Sequence, residues 1–359
     1  MNQPRPDSLP KPRATVARMH GYTPGEQPPP GVPVVKLNTN ENPFPPSPRV
    51  MEVIRNFDPE GLRRYPHPTA DRFRDAVAEL HGVAREQVIA GNGSDDVLNI
   101  ILRTYVGPGE AIVWPEPTYS LYPVLAEIAD IRGLSVPWSP GWRLPIDALC
   151  KAGARAVFFA NPNAPSGTLV SPDEVRVLAR QFPGIVLVDE AYADFAGQSC
   201  LALLDEFPNV VVTRTLSKGY ALCGLRLGYA VAAPAIITEL MKVKDSYNCN
   251  AIAIDAGAAA LGDQAYTEKS WATVRGERER VAEVLRNRGF DVIPSHANFL
   301  LATVPGGDAG ALYRGLKARG VLVRFFDKPG LSDKLRISIG RPDENDALLA
   351  GLAALTPAR

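Results

Sequence analysis

The chain has 359 residues and 39 basic and 39 acidic side chains, so its net charge is zero. This balance disfavours nucleic-acid binding, which usually comes with a basic excess. No apolar stretch reaches the roughly 20 residues that a membrane span needs. The first residues carry no apolar run typical of a secretory signal, and the four cysteines show no CxxC spacing. We therefore expect a cytoplasmic protein with reduced thiols and no metal site, which binds neither nucleic acid nor membranes.

Short apolar runs bounded by turn residues recur along the first two thirds of the chain and predict buried strands. They lie at 87–90, 111–114, 156–160, 185–188, 210–212 and 228–232. Segments with helical periodicity occur among them, at 71–81, 96–106 and 172–181. Because strands and helices alternate, the sequence predicts a mostly parallel sheet with helices on both faces.

From about residue 265 the pattern changes to longer helices and fewer strands. Helices are predicted at 270–288 and 309–319, and strands at 297–302 and 335–340. This alternation predicts a small second α/β lobe. We therefore divide the chain into an extended, proline-rich N-terminal segment (1–48) that packs with the small domain, a large domain (49–265) and the small domain (266–359).

Two polar residues follow predicted strands, at positions where ligands and catalytic side chains are common. Lys218 ends the run that starts at Val210, and Asp189 ends the run 185–188. Ligands of open α/β sheets bind at the carboxyl edge of the strands. A lysine that can form a Schiff base and an aspartate that can pair with a pyridinium nitrogen are the minimum for a pyridoxal phosphate (PLP) enzyme. Each residue alone is a weak signal, because a lysine after a strand is usually solvated.

Other loops after predicted strands allow two interpretations each. The turn at 91–96 contains Ser94 and Asp95 and either is an ordinary tight turn or binds an anion at a helix start. Tyr119 either packs against the core or stacks on a planar ring. The turn at 161–167 either ends a strand or presents a polar side chain to a ligand.

Two arginines lie in apolar strands of the predicted small lobe. Arg336 is in the run 335–340, and Arg324 is in the run 321–325. Burying a guanidinium without a partner is costly, so each must find a carboxylate or face a cavity. A structural salt bridge and the capture of an anionic substrate are both consistent with the sequence.

Taken in chain order, these features resemble the fold-type I PLP-dependent aminotransferases of class I and II. The resemblance runs from about Tyr22 to Arg341. It rests on Asn40-Glu-Asn-Pro-Phe-Pro-Pro-Ser-Pro48, Arg64-Tyr65-Pro66, Gly91-Asn-Gly-Ser-Asp95, Pro117-Thr-Tyr119, Val188-Asp-Glu-Ala-Tyr192, Arg214-Thr-Leu-Ser-Lys218, Gly224-Leu-Arg-Leu-Gly228 and Leu335-Arg-Ile-Ser-Ile-Gly340. It implies an α/β fold with a mostly parallel seven-stranded sheet in the large domain, a small α/β domain, pyridoxal 5'-phosphate as cofactor, and a homodimer with shared active sites.

The resemblance also implies roles for individual residues. Lys218 would hold PLP as a Schiff base and carry the proton between Cα and C4′. Asp189 would pair with the pyridine nitrogen, Tyr119 would stack on the ring, and Tyr192 would donate to its phenolic oxygen. The phosphate cup would consist of Ser94, Asp95, Ser217 and Arg226, with Tyr65 from the second subunit.

Within the family the chain looks like the members that act on histidinol phosphate. This implies transamination of L-histidinol phosphate with 2-oxoglutarate, in histidine biosynthesis. Arg336 would bind the α-carboxylate of glutamate, Arg324 and Tyr22 the phosphate of histidinol phosphate, and Asn42 is also expected at the substrate. Aromatic amino-acid transamination and threonine-phosphate decarboxylation use the same scaffold and remain open.

One position departs from the family pattern. The family commonly has an asparagine that donates to the phenolic oxygen of the cofactor at the position of Ala164. Either Asn163 or Asn161 is expected to substitute, or Tyr192 carries the contact alone. Losing a donor to the phenolate should raise the pKa of the Schiff base, because a hydrogen bond to a charged form favours that form.

Overall fold

The computed structural model describes residues 10–29 and 31–356. Its strands are β1 (Val35–Lys36), β2 (Val88–Gly91), β3 (Ala111–Glu116), β4 (Arg132–Pro137), β5 (Ala156–Ala160), β6 (Ile185–Asp189), β7 (Val210–Thr215), β8 (Gly228–Ala232), β9 (Asp291–Val292), β10 (Phe299–Thr303), β11 (Val321–Leu322), β12 (Arg324–Phe325) and β13 (Lys334–Ser338). Its helices are α1 (Ala14–Arg18), α2 (Pro48–Arg55), α3 (Pro59–Arg63), α4 (Asp71–His81), α5 (Ser94–Tyr105), α6 (Leu121–Ala129), α7 (Ile146–Lys151), α8 (Pro172–Gln181), α9 (Pro234–Val243), α10 (Ala251–Leu261), α11 (Gln264–Asn287), α12 (Ala309–Ala318) and α13 (Pro342–Leu355). None of these helices is long and apolar enough to cross a membrane.

The large sheet has seven strands in the described part of the chain, in the order β2-β8-β7-β6-β5-β3-β4. Strand β8 runs antiparallel to both of its neighbours, whereas the pairs β7-β6, β6-β5, β5-β3 and β3-β4 are parallel. The prediction of a mostly parallel seven-stranded sheet is thereby confirmed. Strand β4 was not predicted, because it is an edge strand whose residues are partly exposed and form no apolar run.

Both faces of this sheet are covered, which explains why its central strands read as continuous apolar runs. In β5, Val157 and Phe159 belong to the core on one face, and Ala156 and Phe158 belong to the core on the other. All four side chains are fully buried. Side chains alternate between the two faces along a strand, so each strand contributes to both cores.

The small lobe contains the antiparallel sheet β12-β13-β10-β9. The N-terminal segment joins this lobe through β1, which pairs in parallel with β11. Further upstream, Arg13 donates to the carbonyl of Ile128, and Thr15 donates to Asp130 at the end of α6. The segment therefore contacts both lobes, whereas we had expected it to pack with the small one. The boundaries at residues 48 and 265 stay predictions. Residues 1–9, 30 and 357–359, which belong to the predicted segments, lie outside the described residues.

Candidate active site

A cavity of about 300 Å³ opens at the carboxyl edge of the large sheet, between the sheet, the N-terminal segment and the small lobe. A volume of this size suits a small ligand. Its lining brings together most of the residues predicted from the sequence, although they come from distant parts of the chain. These are Tyr22, Ser94, Asp95, Tyr119, Asp189, Tyr192, Ser217, Lys218, Arg226, Arg324 and Arg336.

Lys218 follows β7 and points its amine towards the N-terminal segment. Its Nζ donates to the carbonyl oxygen of Thr39 at 3.0 Å. Burial, followed by the positive charge of Arg336, lowers the pKa of this amine to about 8. The lowered pKa increases the fraction of neutral, nucleophilic amine near neutral pH.

Asp189 ends β6 and is buried at the floor of the cavity. The Tyr122 hydroxyl donates to its Oδ2 at 3.0 Å, and the Thr213 hydroxyl donates to its Oδ1 at 3.3 Å. Burial raises the pKa of Asp189 to about 6, and the hydrogen bond from Tyr122 opposes this rise. A buried carboxylate of this kind gains from a protonated ligand group that approaches from the cavity.

One corner of the cavity, where α5 begins, has the groups that suit an anion. The helix starts at Ser94, and Gly93 before it has a φ of 87° and provides no side-chain cap for the first N–H groups. Arg226 donates to the Ser217 hydroxyl at 3.1 Å and closes the corner. A Cβ atom at Gly93 would lie 2.6 Å from an Arg226 nitrogen and would push this guanidinium aside, and the positive φ of Gly93 also favours glycine. Uncapped N–H groups at a helix start and a guanidinium together favour a phosphate.

Asp95 was predicted to line the phosphate cup, but its carboxylate is bonded to protein side chains. Its carboxylate accepts from Arg226 at 3.4 Å and from the Tyr119 hydroxyl at 3.3 Å. These two hydrogen bonds hold Arg226 and Tyr119 in place. Asp95 does not itself bind an anion, because a carboxylate repels a negative charge. Tyr119 also meets the ring of Tyr22 edge to face at 6.3 Å.

The two small-lobe arginines line the cavity without an acidic partner. Arg336 lies between the rings of Phe299 and Phe326, at 5.3 and 5.4 Å. It donates to the Asn38 carbonyl at 3.0 Å, and its Nε is buried without a partner among the described residues. Arg324 donates to two backbone carbonyls of the N-terminal segment. In residues 10–29 and 31–356 neither arginine forms an ion pair, so both charges remain available to an anion.

Three predicted residues are not brought to the cavity. Asn163 is fully buried, and its amide donates to the Ser166 hydroxyl at 2.8 Å. Asn42 donates to the Gly219 carbonyl at 2.9 Å, which places it behind Lys218. Tyr65 is 81% exposed and stacks on Tyr247 beside a second, separate surface cavity. The geometry therefore gives no contact with a cavity ligand for Asn163 or Asn42 in this chain, and Tyr65 is directed outwards.

Several residues that shape the site were not predicted from the sequence. Tyr122 supports Asp189 from the first turn of α6. Tyr119 lies before this helix, and its ring meets the ring of Tyr122 edge to face at 5.7 Å. The other missed groups belong to residues 38–40 and to Phe326 and Lys328, which line the cavity. No apolar periodicity or strand end marks them.

The fold and the site define a transferase of the aminotransferase type. Residues 32–352 match the family model for aminotransferase class I and II, and the chain belongs to this family. It is 45% identical over 343 residues to histidinol-phosphate aminotransferase 1 of Trichormus variabilis, covering 96% of this chain and 98% of the relative. It is 44% identical to histidinol-phosphate aminotransferase of Rhodopirellula baltica, covering 94% and 93%.

A solved structure agrees with this assignment. The crystal structure of histidinol-phosphate aminotransferase from Sinorhizobium meliloti in complex with pyridoxal-5'-phosphate superimposes with a TM-score of 0.87. The identity is 25%, and the match covers 98% of each chain.

Proposed function

We propose that this chain is a PLP-dependent aminotransferase that uses L-histidinol phosphate as amino donor and 2-oxoglutarate as acceptor, a step of histidine biosynthesis. The observation that carries the proposal is the composition of one cavity. Its lining holds an amine with a lowered pKa, a buried carboxylate, an uncapped helix start and two guanidiniums without acidic partners. The relatives reported above are named histidinol-phosphate aminotransferases, which supports the amino donor.

The residues of the cavity fit PLP. Lys218 would bind its aldehyde carbon, and Asp189 would pair with its pyridine nitrogen. Tyr119 would lie against the ring, and Tyr192 would donate to the phenolic oxygen. The phosphate would occupy the corner of Ser94, Ser217 and Arg226, where the first N–H groups of α5 lack a side-chain cap. When bound, the cofactor supplies an electron sink for charge that develops at the substrate Cα.

The protein's own groups handle binding and protons. Lys218 would take the proton from the substrate Cα and later give it back, and its lowered pKa suits both directions. Asp189 would stay ionised opposite a protonated ring nitrogen, because that partner would offset the burial that raises the pKa of Asp189 in the cofactor-free chain. The hydroxyl of Tyr122 keeps the carboxylate in position.

The two arginines set the substrate class. Arg336 would take the α-carboxylate of glutamate, because its guanidinium is held between two rings and lacks a carboxylate partner. Arg324 and Tyr22 would bind the phosphate of histidinol phosphate. Arg324 lines the cavity, which favours a phosphorylated donor over an aromatic amino acid.

The exposed Tyr65 supports a homodimer with shared active sites. An aromatic residue that is 81% exposed and stacked on a partly exposed Tyr247 leaves apolar area open to another chain. Leu62, which is 68% exposed, adds to this surface. We propose that Tyr65 completes the phosphate corner of the second subunit.

The proposal is tested by a single-turnover experiment on the PLP-loaded protein. Histidinol phosphate, phenylalanine and threonine phosphate are added separately at equal concentrations, and the absorbance of the bound cofactor and the release of carbon dioxide are followed. Rapid spectral change with histidinol phosphate, well ahead of phenylalanine, is the expected result. A faster reaction with phenylalanine would make the chain an aromatic aminotransferase, and carbon dioxide from threonine phosphate would make it a decarboxylase.

A further inference from the structure

Asn40 is a buried polar residue of the cavity wall to which no role has been assigned above. It is 1% exposed and has a φ of 57°, in the left-handed region that asparagine tolerates better than most residues. Its backbone N–H donates to the Ser338 hydroxyl at 2.9 Å, and its carbonyl accepts from the Asn298 amide at 3.0 Å. The backbone of Asn40 is thus fixed to the small lobe, and its side chain points at Tyr192.

The orientation of the Asn40 amide follows from its neighbours. The Ser338 hydroxyl donates to Asn40 Oδ1 at 2.9 Å, and no other acceptor for this hydroxyl occurs among the described residues. Turning the amide around would leave the buried Ser338 proton without an acceptor, which is costly. The NH₂ group therefore faces Tyr192, and Nδ2 donates to the Tyr192 oxygen at 3.0 Å.

This bond determines what Tyr192 can do. A phenol has one proton and can accept through its oxygen. The Tyr192 oxygen accepts a hydrogen bond from the Asn40 amide. Within residues 10–29 and 31–356 no group accepts the Tyr192 hydroxyl proton. Burial raises the pKa of Tyr192, so the phenol keeps its proton at neutral pH. Tyr192 is consequently a donor directed at the cavity that it lines.

Ala164 makes this donor important. Its methyl group packs with Tyr192, Ala297 and Phe299 in a small apolar cluster. Neither neighbouring asparagine replaces the missing amide, because Asn161 is bonded to the backbone of Val170 and Asn163 is bonded to Ser166. On this wall Tyr192 is left as the donor towards a ligand.

We propose that Asn40 is a positioning residue that holds Tyr192 as the hydrogen-bond donor to the phenolic oxygen of the cofactor, and so offsets the alanine at position 164. The inference rests on the proposed function, since it requires that PLP occupies the cavity. It concerns the bound cofactor only and is independent of the substrate.

The decisive variant is Asn40→Asp in the PLP-loaded protein, with the pKa of the bound chromophore measured by absorbance. A carboxylate has the same shape and tolerates the same φ, but it accepts the Tyr192 proton and removes the donor from the cavity. We expect the chromophore pKa to rise by about one unit, as it should in Tyr192→Phe. When Asn40→Asp is combined with Tyr192→Phe, it should raise the chromophore pKa little further, because Asn40 acts on the cofactor only through the Tyr192 hydroxyl.

Two further variants separate this role from a structural one. Ala164→Asn restores a second donor and should lower the chromophore pKa, both alone and together with Asn40→Asp. Asn209→Asp removes amide bonds to three carbonyls remote from the cavity, and should lower stability without moving the chromophore pKa.

Two results would overturn the inference. One is an unchanged chromophore pKa in Asn40→Asp. The other is an equal rise with and without the Tyr192 hydroxyl, which would mean that the new charge acts directly. A normal shift in a protein that ignores histidinol phosphate would leave the inference intact and reject the substrate. A protein that binds no PLP at all would reject both.

Discussion

The two walls of the cavity supply their polar groups in different ways. The sheet-edge wall (Tyr119, Asp189 and Lys218) consists of side chains at or just after strand ends, where a rigid sheet fixes them. The segment wall (residues 38–40) consists of an extended piece of chain that contributes the Thr39 carbonyl and the Asn40 amide. The two reactive side chains, Asp189 and Lys218, thus lie at the sheet edge. Asp189 is oriented by Tyr122 and Thr213, from α6 and β7, whereas Lys218 and Tyr192 are oriented by the segment wall, which β1 fixes to the small lobe. Part of the orientation of the site is therefore encoded far along the sequence from its reactive groups.

Lys218→Ala is the strongest test of the sheet-edge wall. We expect transamination to fall by at least about 10³-fold, because the variant would lose the amine that we propose to bind the cofactor and to move the Cα proton. The absorbance of the bound cofactor should change at the same time. Lys242→Ala, which removes an exposed lysine of α9, is the matched control and should keep full activity. Full turnover in Lys218→Ala would reject the site.

Arg324→Ala tests whether the small lobe, rather than the sheet edge, selects the substrate. Losing a charge-assisted contact of about 1.5–3 kcal/mol should lower kcat/KM for histidinol phosphate by about 10- to 100-fold. Phenylalanine, which carries no phosphate, should be affected far less. Steady-state kinetics with both donors measure the difference. Equal losses for the two would remove Arg324 as the phosphate anchor.

Asp189→Asn tests whether the buried charge of Asp189, in the sheet-edge wall, lowers the free energy of unfolding of the protein. The pKa of Asp189 is about 6 in the folded protein against an ordinary 3.8, so folding favours its protonated form. The stability that this group contributes is complete below pH 3.8 and is lost as the pH rises through 6. An uncharged asparagine avoids this loss. The cofactor-free variant should therefore be more stable than the parent by up to about 3 kcal/mol at pH 8, with no gain at pH 4.

Urea unfolding of both cofactor-free proteins at the two pH values measures this effect, and the affinity for PLP should fall in the same variant. A variant that is less stable than the parent at pH 8 would contradict the burial argument.

Asn42→Ala should give the smallest effect. This residue was predicted to touch the substrate, but its amide donates to the Gly219 carbonyl behind Lys218. We expect a loss of about 1 kcal/mol of stability for the lost hydrogen bond. The KM for histidinol phosphate should stay within about twofold of the parent. A large rise in KM with unchanged stability would restore the original prediction.

The large sheet was predictable because its strands are buried on both faces. Runs such as 156–160 and 228–232 match observed strands residue for residue, since covered strands need apolar side chains throughout. Strand β4 was missed for the opposite reason. It lies at the edge of the sheet, and its sequence Arg-Gly-Leu-Ser-Val-Pro has exposed positions that carry no such pattern.

The site residues also differ in whether a sequence pattern identifies them. Asp189 and Lys218 could be identified because each interrupts or ends an apolar run. Thr39 acts through its backbone carbonyl, which no side-chain pattern reports. Asn40 is one polar residue among several in a segment without periodicity, and its partner Tyr192 is 152 residues away. Only the folded chain brings such pairs together.

The most direct test of the account is to trap the cofactor on the protein. The PLP-loaded chain is reduced with borohydride, digested, and mapped by mass spectrometry. We predict that the cofactor is fixed to Lys218. Attachment to another lysine of the cavity wall, such as Lys328, or the absence of any stable attachment would contradict the assignment of the active site.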